Sequence, residues 1–197
     1  MEFSEIYEEY DETEEIHEVE ETADTSDLKQ PSFRELLNDP ELFEHFAEGD
    51  YTYETNTYGK HAYGNLINET GERDVYAQQT LPGKPRGYDG SHLIANRYRG
   101  AGGYENLDAG TISLNRGAYK SIENEWGRKL DEGEKVYVDV QTYHTNGSPV
   151  PDAWMGYSIS EGVDGKRQFE TFSLTNASKA ELEEWERIIE EIEEEDY

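Results

Sequence analysis

The sequence predicts a mixed α+β fold, with antiparallel strands around one central helix. Three observations point there. From Tyr51 onward the texture turns to Tyr, Thr and Val with turn residues between, as in strands. Residues 115–130 carry Tyr119, Ile122, Trp126 and Leu130 at spacings of three and four, one apolar helix face. The segments 136–140, 154–159 and 168–174 then resume a strand-like alternation.

Taken in order, residues 51–55 and 61–66 flank a turn at 56–60 and predict a hairpin. Residues 74–78, Asp-Val-Tyr-Ala-Gln, predict a third strand on their Val and Tyr content. A loop with two prolines and two glycines, 81–87, leads into residues 88–95. Gly100, Gly102 and Gly103 mark the connection to the central helix, and Gly133 stops that helix. Residues 180–194 form an amphipathic helix with Leu182, Trp185, Ile188, Ile189 and Ile192 on one side. That stripe is expected to dock on its own domain, with pairing to a second chain as the alternative. Before the strands, residues 1–27 read as an acidic, solvating tail, and 32–48 as short helices with Pro40 in a first turn. The expected organisation is an acidic extension over 1–50, a domain over 51–177 and an acidic helix over 178–197.

Charge follows the same division. The chain of 197 residues has a formal net charge of −29. Residues 1–50 hold 19 acidic and 2 basic residues and residues 178–197 hold 10 and 2, whereas 51–177 hold 17 and 13. The centre is nearly neutral, so bulk acidity does not exclude a nucleic-acid partner there. An acidic end could fold back over the basic residues near Arg97 and Arg99 in imitation of phosphate; the plainer reading is that the ends confer solubility or suit a saline environment. There is no cysteine, which rules out disulfides, thiol nucleophiles and cysteine-ligated zinc. No apolar run approaches the roughly 20 residues of a membrane span, and the first residues lack a signal-peptide pattern. The expectation is a protein without membrane association, cytoplasmic or exported by a signal-independent route.

Three polar residues stand out at the centre: His92, Asn115 and Glu123. On one continuous helix Asn115 and Glu123 would lie about 80° and about 12 Å apart, near enough to border one site. A neutral imidazole can take a proton from water near pH 7. A hard cation that keeps several waters can be held by a single amide oxygen and neutralise a phosphate. Phosphodiester hydrolysis needs these parts. Each residue also has a plain alternative: a structural strand histidine, a helix-capping asparagine, a solvated glutamate.

The wording around them decides. Asp89-Gly90-Ser91-His92-Leu93-Ile94-Ala95 resembles the Asp-Gly-Gly-His-Leu-Ile-Ala signature of bacterial DNA/RNA non-specific endonucleases, a family that includes DNA-entry nucleases and toxin nuclease domains. Asn106-Leu107, Leu114-Asn115-Arg116-Gly117-Ala118-Tyr119 and Ile122-Glu123-Asn124-Glu125-Trp126 resemble its second signature, and the flanks agree over residues 51–175. The resemblance implies a ββα-metal fold in which His92 activates water, Asn115 binds Mg²⁺ (or Mn²⁺ in its place) and Glu123 holds the ion's waters. Asp89 and Asn106 would support the site. Ser91 departs from the usual glycine and threatens to crowd the phosphate. Gly90 stands where other members carry an arginine, so a transition-state arginine must come from Arg86, Arg97, Arg99, Arg116 or Arg128, with Arg86 and Arg97 favoured by proximity. The implied partners are DNA or RNA and, for a toxin or effector, a cognate inhibitor or immunity protein. The competing readings are an inactive binding module on the same fold and an acidic DNA mimic.

Overall fold

A computed structural model describes residues 51–56 and 58–195. The expected helices at 32–48 and the tail at 1–27 lie outside the described residues. Five antiparallel strands form one sheet in the order β1-β2-β5-β6-β7, made of β1 (Thr52–Asn56), β2 (Gly59–Asn65), β5 (Lys135–Tyr143), β6 (Ala153–Glu161) and β7 (Arg167–Thr175). A separate two-stranded ladder pairs β3 (Tyr88–His92) with β4 (Leu107–Thr111), His92 opposite Leu107. After β4 comes a wide turn with i→i+5 character, Leu114–Ala118, which continues as α2 (Tyr119–Asp131). β3, β4 and α2 together are a ββα unit laid against the larger sheet.

Alternation along β5 explains how that sheet serves two surfaces. Val136, Val138 and Val140 point into the main core with Trp154, Trp126, Tyr119, Leu93 and Ile94, all essentially buried. Tyr137, between them, faces the other side with Tyr63 and Ile159. Tyr119, at the start of α2, packs on Trp154 with ring centroids 5.1 Å apart. Lys129, buried on α2, bonds Glu170 at 2.5 Å and Ser160 at 3.3 Å and so ties the helix to β6 and β7.

Two segments depart from expectation. Residues 74–78 are not a strand: Val75–Gln79 is a short helix, α1. Asp74 caps it, its carboxylate accepting from the Ala77 N–H at 2.8 Å, and a capping bond outweighs weak β propensity. α1 sits against β3 at Gly90, where an added Cβ would meet the Gln78 carbonyl oxygen at 2.5 Å. The C-terminal helix α3 (Lys179–Glu195) forms as expected, opened by reciprocal bonds between Ser178 and Glu181. Three residues of its stripe are not buried as docking on the domain would require: Leu182, Trp185 and Ile188 are 37%, 46% and 41% exposed. No described helix is long and apolar enough to cross a membrane.

His61 on β2 is buried between Asp139 (3.0 Å) and Glu54 (3.4 Å). Burial lowers its pKa, but the bonds and charges of Asp139 and Glu54 together outweigh that and raise it. A histidine whose pKa rises on folding stabilises fully below its unfolded value, about 6.5, and stops doing so as pH climbs through the folded value. His61→Gln should therefore cost most stability below about pH 6.5 and least on the alkaline side, measured by urea unfolding across pH.

Candidate active site

The ββα unit places its polar residues around a cleft of about 770 Å³. His92 closes β3 and Asn115 lies in the wide turn, while Glu123 rises from α2, and all three line the cleft. The wide turn matters. At about 100° per residue, eight residues of regular helix would separate Asn115 and Glu123 by about 80°; a turn widened to i→i+5 absorbs about one residue and leaves roughly 20°. The two side chains thus meet one face.

Asp89 fixes Asn115. Its carboxylate accepts from Asn115 Nδ2 at 2.9 Å and from two nitrogens of Arg116, each at 2.9 Å. The Arg116 bond is the main reason its pKa is lowered, with the Asn115 bond acting in the same direction against burial. With its N–H₂ committed to Asp89, the Asn115 amide directs its oxygen away from that carboxylate. Glu123 is buried, and burial raises its pKa against the opposing bond from Lys120, 3.0 Å away.

His92 is neutral. Burial, and then the positive charge of Arg73, lower its pKa to about 4. Its Nε2 is shut away from solvent with no hydrogen-bond partner, and its Nδ1 lies 3.4 Å from the Gln78 amide nitrogen. The loop behind it is tied down by tyrosines: Tyr119 donates to the Leu93 carbonyl and Tyr98 to that of Glu123.

The remaining expected residues divide. Arg97 lines the cleft and donates to Asn124 at 3.2 Å. Arg116 lines it while engaged with Asp89. Arg86 is exposed on the loop before β3 and is not among the cleft-lining residues, although Lys84 of the same loop is. Arg99 sits in the left-handed region (φ 57°) facing Glu69 at 3.6 Å, and Arg128 points outward to Glu125 and Glu132. Asn106 is fully buried and bonds Ile94 and Ala101, bracing the loop that follows His92.

Ser91 does not crowd the cleft. It is 1% exposed, and its Oγ lies 2.4 Å from where a Cβ on Gly110 would stand. The glycine on β4 makes room for the serine on β3. The cleft residues not found from sequence include Arg73, Gln78, Lys84 and Lys120. The first two follow from α1, hidden once residues 74–78 are read as a strand. Lys120 was legible as an i,i+3 partner of Glu123. Altogether five basic side chains (Arg73, Lys84, Arg97, Arg116, Lys120) face two acidic ones (Asp89, Glu123) in a chain of net charge −29. Arg73 and Arg97 form no ion pair among the described residues.

Comparison with known proteins agrees with this geometry. A family model described as DNA/RNA non-specific endonuclease matches residues 42–160, more than half of the chain. Among solved structures, the Sda1 nuclease with bound zinc ion is similar, with a TM-score of 0.53, 17% identity and coverage of 66% of this chain and 76% of that one. The EndoG/EndoGI complex gives 0.46 and 14% over 76% and 82% of the two chains. An extracellular endonuclease gives 0.46 and 15% over 66% and 80%. At such identity the first likeness establishes a common fold, a nuclease's ββα-metal architecture.

The Ser91–Gly110 fit is open to a double-mutant test. Gly110→Ala should cost about 1–3 kcal/mol of stability by overpacking, and Ser91→Gly in the same chain should recover most of it. Thermal unfolding of the four variants measures the coupling.

Proposed function

The chain belongs to the DNA/RNA non-specific endonuclease family, and on that premise we propose that it hydrolyses phosphodiester bonds of DNA or RNA, with His92 as general base and a divalent cation held at Asn115. The observation that carries this reading is a basic-lined cleft, in a strongly acidic chain, that joins a neutral imidazole to an oriented amide oxygen. Positive potential there draws in a phosphate backbone against the chain's overall charge.

The donor set fits a hard, water-rich cation. Among the described residues no group of three or more His, Asp and Glu gathers to form an all-protein cage. A single amide oxygen, with the Glu123 carboxylate lining the same cleft, would suit Mg²⁺ or Mn²⁺, hard ions that keep several waters, better than it would suit zinc in a closed site. Such an ion supplies charge neutralisation at the phosphate and the departing oxygen. Asp89 and Arg116 keep the Asn115 oxygen aimed, and Lys120 offsets the Glu123 charge. His92 takes the proton from the attacking water as the water oxygen bonds to phosphorus and the bond to the leaving oxygen breaks. Arg73, which lines the cleft with His92 and forms no ion pair among the described residues, is placed to meet the charge that builds on the phosphate, with Arg97 on the same rim. A toxin or effector role with a cognate inhibitor at that basic rim, and a scavenging role, both fit this chemistry. An inactive binding module on the same fold would need its site blocked, at Ser91 or by the acidic ends; the Ser91 side chain faces Gly110.

Cleavage of supercoiled plasmid and of total RNA by the full chain tests the proposal. Activity should appear with Mg²⁺ or Mn²⁺, vanish in EDTA, and drop by about 10²–10⁴-fold in His92→Ala. Cleavage that survives either EDTA or His92→Ala would overturn the proposed roles.

The pH profile is a separate check. The base works in its neutral form, which His92 keeps above about pH 4. An ordinary imidazole would be half protonated near pH 6.5, so kcat/KM should hold through that region and fall only nearer pH 4.

A further inference from the structure

α1 contributes an amide to the cleft beside the arginine that precedes its cap. The Gln78 amide is held at three points. Its Oε1 accepts from Arg73 Nε at 2.7 Å, and its Nε2 donates to the Gly90 carbonyl at 3.0 Å and lies 3.4 Å from His92 Nδ1. The guanidinium at one end and the carbonyl at the other allow one amide orientation, oxygen toward Arg73 and N–H₂ toward β3. An N–H therefore faces His92 Nδ1. The absence of a side chain at Gly90 is what lets α1 come this close.

We propose that Gln78 is a positioning residue that selects the Nε2–H tautomer of His92, so that Nδ1 is the nitrogen that receives the proton. The inference rests on His92 being the general base. A count of mismatched groups supports it. In the Nδ1–H tautomer two donors, Nδ1–H and the Gln78 N–H, would oppose one another while the Nε2 lone pair stays buried and unpaired. In the Nε2–H tautomer a single group, Nε2–H, lacks a partner, and Nδ1 offers its lone pair to the Gln78 N–H. At 3.4 Å that contact is long, and the firmer Gln78 bond goes to Gly90, so the lone pair is biased without being tied up. The same geometry acts after proton uptake. An imidazolium Nδ1–H meets an N–H with no acceptor to stabilise it, so the proton is held weakly and released. A carboxylate in place of the amide would do the reverse.

The test uses the full chain, ¹⁵N-labelled on histidine, without metal or nucleic acid, so its outcome does not depend on nuclease activity. Nitrogen-resolved NMR across pH should find His92 protonated on Nε2 with Nδ1 free. Gln78→Glu, nearly the same shape, should move the His92 titration midpoint up by at least about one pH unit, a tenfold change in proton affinity, and bring Nδ1–H into view. Gln78→Leu should leave the ring sampling both tautomers. In active protein the acid limb of kcat/KM should shift in Gln78→Glu as the NMR midpoint does. A wild-type ring protonated on Nδ1, or a midpoint and tautomer unchanged in Gln78→Glu, would overturn the proposal. If Gln78→Leu fails to fold, the Gln78→Glu midpoint alone decides. An expected NMR result in a chain that cuts nothing would leave the positioning role standing and refute the nuclease reading separately.

Discussion

Asp89 lies in β3 three residues before His92 and receives three hydrogen bonds from the turn that begins α2, one from Asn115 and two from Arg116. Those bonds join the strand that carries His92, the proposed base, to the turn that carries Asn115, the proposed cation ligand. They settle which way the Asn115 amide points, and with it whether an oxygen or an N–H₂ faces the cleft. The arrangement needs the widened turn at Leu114–Ala118, since a regular helix would rotate Asn115 away from Glu123. Behind this clamp, the buried tyrosines 98 and 119 hold the loop after His92 against α2, and Asn106 closes it from the other side.

Glycines and their neighbours form matched pairs across the ββα unit. Gly90 admits α1, and α1 brings Arg73 and Gln78 to the imidazole; Gly110 admits Ser91, which would otherwise have nowhere to go. Each case is a vacancy on one element filled from another. A residue that looks like a departure in one strand is therefore interpretable only with its partner in view. The same holds for charge. Net acidity says little about a cleft in which five cations surround two paired carboxylates, because field strength near a phosphate depends on the nearest groups and distant charge is screened by salt.

Local pattern was sufficient for much of this protein. The periodic run through Tyr119, Ile122, Trp126 and Leu130, the alternation around Val136 to Val140, and the two signatures around His92 and Asn115 were legible because each is a short-range regularity: one helix face, one strand face, one run of residues. From these the α+β class, the ββα unit and the trio of His92, Asn115 and Glu123 could be stated by residue number. Acidic ends and a near-neutral centre were legible for the same reason.

Tertiary structure alone decided what depends on approach between distant segments. Residues 74–78 have strand-like composition, yet the Asp74 cap and the space above Gly90 make them a helix, and no pattern within those residues announces a contact with a strand ten residues on. Which arginines reach the cleft was settled likewise: Arg73 and Arg97 line it, while Arg86, adjacent in sequence to the His92 motif, does not. Sequence proximity measures distance along the chain, whereas lining a cleft requires approach in space. The depressed pKa of His92 is a tertiary property too, produced by burial and by a guanidinium nineteen residues upstream. Residue identity set what each group is able to do; the packing of α1, β3 and α2 against one another determined which groups do it together.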